Sequence, residues 1–128
     1  MSLASQYRLR QRKDFSTVYR HGLRCQGKVL ILRALHHDAT SEKGSQPSRL
    51  GVSISQKVSK RAVNRNRIKR QIKAAFRYLL PDVASGWWLV IVVNPSALQC
   101  DYEQFLRELE ELLIHAEVID GHSRRRAV

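Results

Sequence analysis

The longest unbroken apolar run in the chain has only seven residues, WWLVIVV at positions 87–93. Gly86 precedes the run, and Asn94 and Pro95 follow it, so turn-forming residues bound it on both sides. A short run of this kind is typical of a strand that is covered on both faces. We therefore predict that residues 87–93 form the central strand of a sheet. The run is far short of the roughly 20 residues that span a bilayer, so we expect no membrane helix.

Two further strands are predicted before this run. Residues 28–35 are rich in large apolar side chains, and residues 49–55 alternate between large apolar residues and small ones. The polar segment at positions 36–48 contains Gly, Pro and several Ser and Thr residues, so it is predicted to be a loop and the best candidate for disorder.

A short helix is predicted near the N-terminus. Phe15, Val18 and Tyr19 have the spacing of one helical face. Asp14 precedes them and is the predicted N-cap, and Gly22 is predicted to end the helix.

A longer helix is predicted from Ser59 to about Leu80, because Pro81 disfavours helical backbone at the residue before it. At about 100° per residue, apolar side chains fall on one side of this helix and polar and basic ones on the other. The apolar set is Ile68, Ile72, Ala75, Phe76 and Leu79, and the opposite set is Asn66, Lys69, Arg70, Lys73 and Arg77. One face is thus predicted to pack and the other to bind a partner.

The last predicted element is a helix that follows Asp101, its predicted N-cap. Apolar residues repeat along it at intervals of three and four. They are Tyr102, Phe105, Leu106, Leu109, Leu112 and Leu113. We expect residues 1–121 to form a single α+β domain, and residues 122–128, with three consecutive arginines, to form a mobile basic tail. The N-terminus lacks the apolar stretch of a signal peptide, so a cytoplasmic protein is expected.

Charge is distributed unevenly along the chain. Residues 1–80 contain 19 basic and 3 acidic side chains, a net charge of +16, whereas residues 81–128 contain 4 basic and 8 acidic ones, a net charge of −4. Residues 57–77 contain nine basic side chains and no acidic one. A solvated surface normally mixes both signs, so this stretch favours a phosphate-rich partner. An anionic membrane surface is the weaker alternative, because basic membrane-binding helices usually carry bulky apolar anchors.

No set of catalytic side chains is evident from the sequence. The acidic residues show no converging group that would hold catalytic metals, and the five histidines show no H-x-x-x-H spacing. Cys25 and Cys100 lie far apart and are expected to be two buried, reduced thiols. A nuclease that uses distant His and Lys side chains as acid and base stays open as a minor alternative.

The basic segment is specific enough to indicate a family. Positions 59–70 read SKRAVNRNRIKR, with an Arg-Asn-Arg core, and they follow GVSISQK at positions 51–57. This combination resembles the signature of the protein subunit of bacterial ribonuclease P. The resemblance extends to the first predicted helix and to the strand that ends in Asn-Pro, so it covers roughly residues 10–113.

The resemblance implies both a fold and a function. Family members have the order α-β-β-β-α-β-α, with a four-stranded sheet and a left-handed crossover, against the usual right-handed rule. The additional early strand would lie near residues 23–26. In the family, an RNA subunit uses Mg²⁺, held mainly by that RNA and the substrate, to remove the 5′ leader of precursor tRNA. The protein binds the catalytic RNA and the leader, and no catalytic or metal-binding residue, membrane or obligate protein partner is implied.

Individual residues match the family motif. Arg65, Asn66 and Arg67 match its central positions, and Phe15 and Tyr19 match aromatic positions of the leader-binding cleft. The surrounding basic positions are matched by Lys57, Lys60, Arg61, Lys69, Arg70 and Lys73. Arginine binds phosphate oxygens in a bidentate manner, asparagine offers both a donor and an acceptor, and aromatic faces stack on unpaired bases.

Two positions depart from the family pattern. Gln56 stands where many members have Lys, which puts one phosphate contact in doubt. Arg33 occupies a sheet position of the leader cleft where some members have an aromatic residue. Stacking on a base is therefore in doubt at this position, and a contact with a phosphate is the alternative.

Two kinds of binding module are the alternatives. A non-catalytic RNA-binding protein, such as a ribosomal protein, would share the basic helix and a steep salt dependence. The Arg65-Asn66-Arg67 motif favours ribonuclease P over it. A helix-turn-helix DNA-binding protein would need a second helix shortly before the motif helix, where residues 50–55 are strand-like.

Overall fold

Three helices and four strands follow one another in the order α-β-β-β-α-β-α, which confirms the predicted α+β fold, including the short early strand. The structure, a computed structural model, describes residues 3–36 and 46–119. The elements are α1 (Arg12–His21), β1 (Leu23–Gln26), β2 (Leu30–His36), β3 (Arg49–Ser53), α2 (Ala62–Leu79), β4 (Trp87–Val93) and α3 (Tyr102–His115). Short 3₁₀ turns occupy Ser5–Tyr7, Leu80–Asp82 and Pro95–Gln99.

The apolar strand β4 lies inside the sheet, as its sequence predicts. The strand order is β1-β2-β4-β3. Strand β2 is antiparallel to both β1 and β4, whereas β3 is parallel to β4. Helix α2 forms the crossover between the two parallel strands, and the left-handed sense of that crossover stays a prediction from the family resemblance.

Both faces of the sheet are covered, because successive side chains of a strand point to opposite faces. On one face, α2 and α3 pack on Leu32 of β2, Leu50 of β3 and Ile91 of β4. On the other face, α1 packs on Val90 through the fully buried Val18. The alternation within β4 therefore assigns each helix to one side of the sheet.

The N-terminal segment protects the outer edge of β3. Arg8 pairs with Leu50 in a parallel bridge, and the backbone N–H of Leu9 donates to the Leu50 carbonyl at 2.9 Å. Leu3 is buried in the core on the α2 side, whereas Leu9 is buried on the α1 side. The segment thus crosses the sheet edge and occupies backbone groups that would otherwise be open to pairing with another chain.

Helix α1 begins earlier than predicted. Its N-cap is Gln11 rather than Asp14, and Asp14 lies in the first helical turn. A carboxylate in the first turn still stabilises the helix, because it faces the positive end of the helix dipole. The predicted end is confirmed, since the N–H of Gly22 donates to the Val18 carbonyl at 2.8 Å.

Helix α2 begins at Ala62, three residues after the predicted start at Ser59. Arg61 has extended backbone angles, φ −83° and ψ 121°, and is the N-cap. The Ser59 hydroxyl accepts from the Arg61 N–H at 3.2 Å and from the Asn64 side chain at 3.0 Å, so it organises the preceding loop instead. The predicted packing face of α2 is confirmed in full. Its buried residues are Ile68, Ile72, Ala75, Phe76 and Leu79.

The other boundaries differ by a few residues. Strand β2 begins at Leu30 rather than at position 28, because residues 27–29 form the turn after β1, and β3 ends at Ser53 rather than at position 55. Of the predicted loop at positions 36–48, His36 belongs to β2, and residues 37–45 lie outside the described residues, as does the predicted tail at positions 122–128. Within the described ranges, no helix is long and apolar enough to cross a membrane.

Helix α3 has the predicted N-cap and a second anchor at its middle. The Asp101 carboxylate accepts from the Gln104 N–H at 3.0 Å, and the Gln104 side chain accepts from the Asp101 N–H at 2.9 Å, which forms a capping box. Further along, a carboxylate oxygen of Glu108 accepts from the N–H groups of Val29 and Leu30 at 2.8 and 2.6 Å. This carboxylate ties α3 to the turn between β1 and β2.

Glu108→Ala is expected to lower the free energy of unfolding by about 2 kcal/mol, because two backbone donors lose a charged acceptor. Chemical denaturation monitored by circular dichroism measures this loss. The matched control is Glu111→Ala, which removes the same charge from an exposed site on the same helix and should change stability by less than about 0.5 kcal/mol. Equal losses in both variants would show that the two hydrogen bonds of Glu108 contribute nothing specific.

Candidate nucleic-acid interface

The predicted RNA-binding residues lie along α2 and on the loop before it. They differ in how far they are exposed, which separates residues that are available to a partner from residues that are partly covered by the protein. The exposed ones are Lys57, Lys60, Arg61, Asn66 and Arg70, and the half-buried ones are Arg65, Arg67, Lys69 and Lys73.

The loop before α2 is held in one conformation by a buried residue and two serines. Val58 is only 4% exposed and belongs to the core on the α2 side. The Ser55 hydroxyl accepts from the Lys57 N–H at 3.2 Å, and the Ser59 hydroxyl accepts from the Arg61 N–H at the same distance. Side-chain bonds of this kind fix tight turns. The cations of the loop are therefore presented on a fixed backbone.

Arg67 ties α2 to the segment that leads into α3. Its guanidinium donates from Nη2 to the Leu98 carbonyl at 2.9 Å, and from Nη1 to the Cys100 carbonyl at 3.3 Å and to the Gln71 side chain at 3.1 Å. Three acceptors within the protein give this motif residue a structural role that the sequence did not reveal. Two of the acceptors are backbone carbonyls more than 30 residues away in the chain. Contacts of this kind produce no recognisable pattern in the sequence around Arg67.

Arg65 also contacts its own protein. Its Nη1 donates to the Ser59 carbonyl at 2.8 Å, which links the first turns of α2 to the loop before it. Asn66, between the two arginines, is exposed. The structure therefore places the central residue of the motif at the surface and its two neighbours in part against the protein.

Arg8 is a basic residue of this surface that sequence reasoning missed. Its pairing with Leu50 carries it to the α2 side of β3, where its positive charge acts on Lys73. Burial, together with the positive charges of Lys69 and Arg8, lowers the pKa of the Lys73 ammonium from its ordinary value. Only the backbone pairing of the N-terminal segment brings Arg8 here, so no sequence spacing could have indicated it.

The predicted leader-cleft residues lie on the opposite face of the sheet. The phenyl ring of Phe15 lies directly on Gly51 of β3, where a Cβ atom would clash with the Phe15 Cζ atom. Phe15 is half-buried and packs on the α1-side core, whereas Tyr19 is 38% exposed. The Arg33 guanidinium lies 5.3 Å from the centroid of the Tyr19 ring. All three residues are thus on the α1 face, and the structure brings Tyr19 and Arg33 into contact.

The two cysteines are free, and their surroundings disfavour the thiolate. Cys25 is buried as expected, whereas Cys100 is only half-buried. Burial raises the pKa of both thiols, and the negative charges of Glu108 and Asp101 raise the pKa of Cys100 further. Because the thiolate is the nucleophilic form, neither residue is activated for covalent catalysis. Among the residues that the structure describes, no three or more His, Cys, Asp or Glu side chains are grouped as a metal site.

A cavity of about 650 Å³ lies between the β1–β2 turn and α3. Its walls include both cysteines, Lys28, Glu108 and His115, and none of the predicted RNA-binding or leader-cleft residues. The cavity is therefore separate from the basic surface on α2 and from the aromatic residues on α1.

Comparison with known proteins assigns the chain to a family. The family model for ribonuclease P matches residues 3–117. The ribonuclease P protein component of Microcystis aeruginosa is 50% identical over 122 residues, which cover 95% of this chain and 100% of that protein. The corresponding protein of a Cyanothece species is 52% identical over an alignment of 130 positions, which covers 94% of this chain and 99% of that protein.

Solved structures agree with the sequence comparison. The ribonuclease P protein of Staphylococcus aureus superposes with a TM-score of 0.76 at 25% identity, covering 88% of this chain and 97% of that one. The ribonuclease P protein of Thermotoga maritima has the same fold, with a TM-score of 0.71 at 24% identity, covering 83% of this chain and 94% of that one. Sequence match, element order and sheet topology together show that this chain belongs to the family of bacterial ribonuclease P proteins.

Proposed function

We infer that this chain is the protein subunit of ribonuclease P, the endoribonuclease holoenzyme that removes the 5′ leader from precursor tRNA. The observation that carries this inference is the family match over residues 3–117, which includes the complete acid-free segment at positions 57–77. The catalytic groups are expected on the RNA subunit, and this chain contributes binding and positioning.

The loop before α2 and the exposed side of α2 are proposed to bind the catalytic RNA. In the free protein, burial is the main cause that lowers the pKa of Lys73, and the like charges of Lys69 and Arg8 lower it further, so the charged ammonium is disfavoured there. A phosphate group beside them would offset that repulsion. The exposed Lys57, Lys60, Arg61, Asn66 and Arg70 complete this surface. Its fixed loop means that little conformational entropy is lost when the RNA binds.

The α1 face is proposed to bind the leader of precursor tRNA. The Phe15 ring is half-buried against Gly51 of the sheet, and the Tyr19 ring is exposed beside it on the same helix. An aromatic face stacks on any base and contributes about 1–3 kcal/mol per base, which suits a leader of variable sequence. Arg33, beside Tyr19, adds a positive charge rather than a third stacking surface.

Magnesium is proposed to be held mainly by the RNA subunit and the substrate. The residues that line the two proposed RNA surfaces are basic, aromatic or amide side chains, whereas Mg²⁺ is bound through carboxylates and phosphate oxygens. The proposed contribution of this chain is to neutralise crowded phosphates with Lys and Arg, so that fewer metal ions are needed for the same fold of the RNA. We place this reaction in the cytoplasm.

Reconstitution tests the proposed function. A 5′-labelled precursor tRNA is incubated at low Mg²⁺ concentration with the protein alone, with the catalytic RNA of ribonuclease P alone, and with both. Cleavage at the mature 5′ end is expected with the mixture only. Cleavage by the protein alone would reveal a protein active site. Tight RNA binding without any stimulation of cleavage would favour a non-catalytic RNA-binding module instead.

The salt dependence of RNA binding tests the basic surface. Lys57→Ala and Lys60→Ala are each expected to reduce the slope of log Kd against log salt concentration by about 0.7–0.9, because each removes one phosphate contact. Filter binding of the protein to the catalytic RNA between low and high salt gives the slope. The control Arg107→Ala removes a positive charge from an exposed site on α3 and should leave the slope unchanged. Equal slopes in all four proteins would contradict the proposed surface.

Arg67 requires a separate test, because it also holds the protein together. Without RNA, Arg67→Gln is expected to lower the free energy of unfolding by about 2 kcal/mol, since the Leu98 and Cys100 carbonyls lose a charged donor. Arg70→Gln, one turn away on the exposed side, should change stability by less than about 0.5 kcal/mol. Thermal or chemical denaturation distinguishes the two. If both variants were equally stable, the contacts of Arg67 with the α3 segment would not matter for folding.

A further inference from the structure

Two arginines face each other on the first two strands of the sheet. Arg24 of β1 and Arg33 of β2 are direct partners in the antiparallel ladder, so both side chains project from the same face. Side chains in this relation have Cβ atoms about 4.5–5.5 Å apart, and like charges there are destabilising. Within the described residues, the acceptors that these arginines use are neutral: the Gln26 amide oxygen lies 3.1 Å from Arg24 Nη2, and the Tyr19 carbonyl lies 2.5 Å from Arg33 Nη2.

The guanidinium of Arg33 is held in place before any ligand arrives. Its bond to the Tyr19 carbonyl satisfies one of the last backbone acceptors of α1, and its guanidinium carbon lies over the Tyr19 ring within cation–π distance. Its Nε is buried and has no hydrogen-bond partner within the described residues. The last turn of α1, whose Tyr19 carbonyl accepts from Arg33, also contains Arg20 and His21.

A structural role accounts for Arg33 but not for Arg24. Arg33 stabilises the end of α1, as a cation at a helix C-terminus does. Arg24 is exposed and places a second positive charge directly opposite, where a neutral residue would avoid the repulsion. A bound anion would convert this repulsion into attraction to both groups. Because Tyr19 is exposed beside Arg33, a ligand with both a negative charge and a stacking base fits the site.

We propose that Arg24 and Arg33 together bind one phosphodiester group of the single-stranded leader as it passes Tyr19. The proposal rests on the proposed function and deepens it, because it adds Arg24 to the leader site and assigns backbone recognition to the β1–β2 end of that site. One consequence is that binding there depends on leader length and backbone charge, and not on the identity of the base.

Precursor tRNAs whose leaders are shortened one nucleotide at a time test the proposal with the reconstituted holoenzyme. With the unsubstituted protein, affinity is expected to rise in one step when the leader becomes long enough to reach the arginine pair. Arg24→Ala should reduce that step about tenfold, in the range of a lost hydrogen bond to a charged group. Arg24 is chosen because it is exposed, whereas Arg33→Ala would also disturb the end of α1. Arg107→Ala is the charge-matched control and should keep the full step.

A neutral methylphosphonate linkage placed at each leader position in turn locates the contact. At one position it is expected to weaken binding to the unsubstituted protein. The same linkage should have a smaller effect on Arg24→Ala, in which only Arg33 still contacts that phosphate. The proposal would be wrong if Arg24→Ala kept the full rise in affinity with leader length while Phe15→Leu still weakened leader binding. The proposed function would then still hold. Equal losses of affinity for the precursor and for leaderless tRNA would also overturn the proposal, because Arg24 would then contact another RNA segment. If the reconstituted holoenzyme showed no preference for a leader at all, the proposed leader-binding function itself would fail.

Discussion

The two-sided burial of β4 is the constraint on which the rest of this structure depends. Its residues alternate between a core shared with α2 and α3 and a core shared with α1, so Val90 and Ile91, neighbours in sequence, belong to opposite layers. An apolar strand of this kind is stable only if both faces are covered. The helices that cover it carry the two proposed RNA surfaces. The same burial that stabilises the sheet therefore keeps the basic surface and the aromatic cleft apart.

Much of the fold follows from local patterns that agree with the final packing. The buried residues of α2 are those predicted from helical spacing, the capping box at Asp101 begins α3, and Gly22 ends α1. Helix starts are less well predicted. Asp14 and Ser59 both have side chains suited to an N-cap, yet each serves another role, because the helix start is decided by backbone angles of Gln11 and Arg61 that depend on the surrounding packing.

From the residues alone, the candidate site is predicted only where its members follow one another in the chain, whereas Phe15, Tyr19 and Arg33 are predicted through the family resemblance. The basic residues of positions 57–73 are adjacent in sequence, so their common surface could be foreseen. The contribution of Arg8 depends on a pairing with Leu50, and that of Arg24 depends on its register with Arg33. For Arg67, the sequence motif indicates only a phosphate ligand. The structure shows that its guanidinium also donates to three acceptors in its own protein. A motif residue can thus have a structural role, visible in the structure, beside its proposed role in RNA binding.

Binding of precursor tRNA and of leaderless tRNA to the reconstituted holoenzyme tests most directly whether the two proposed surfaces are separate. Phe15→Leu, which keeps an apolar side chain against Gly51, is expected to lower the ratio of the two affinities about tenfold through the loss of base stacking. The affinity of the same variant for the catalytic RNA should be unchanged, because Phe15 lies on the face opposite α2. A loss of affinity for the catalytic RNA with an unchanged ratio would contradict the separation of the two surfaces.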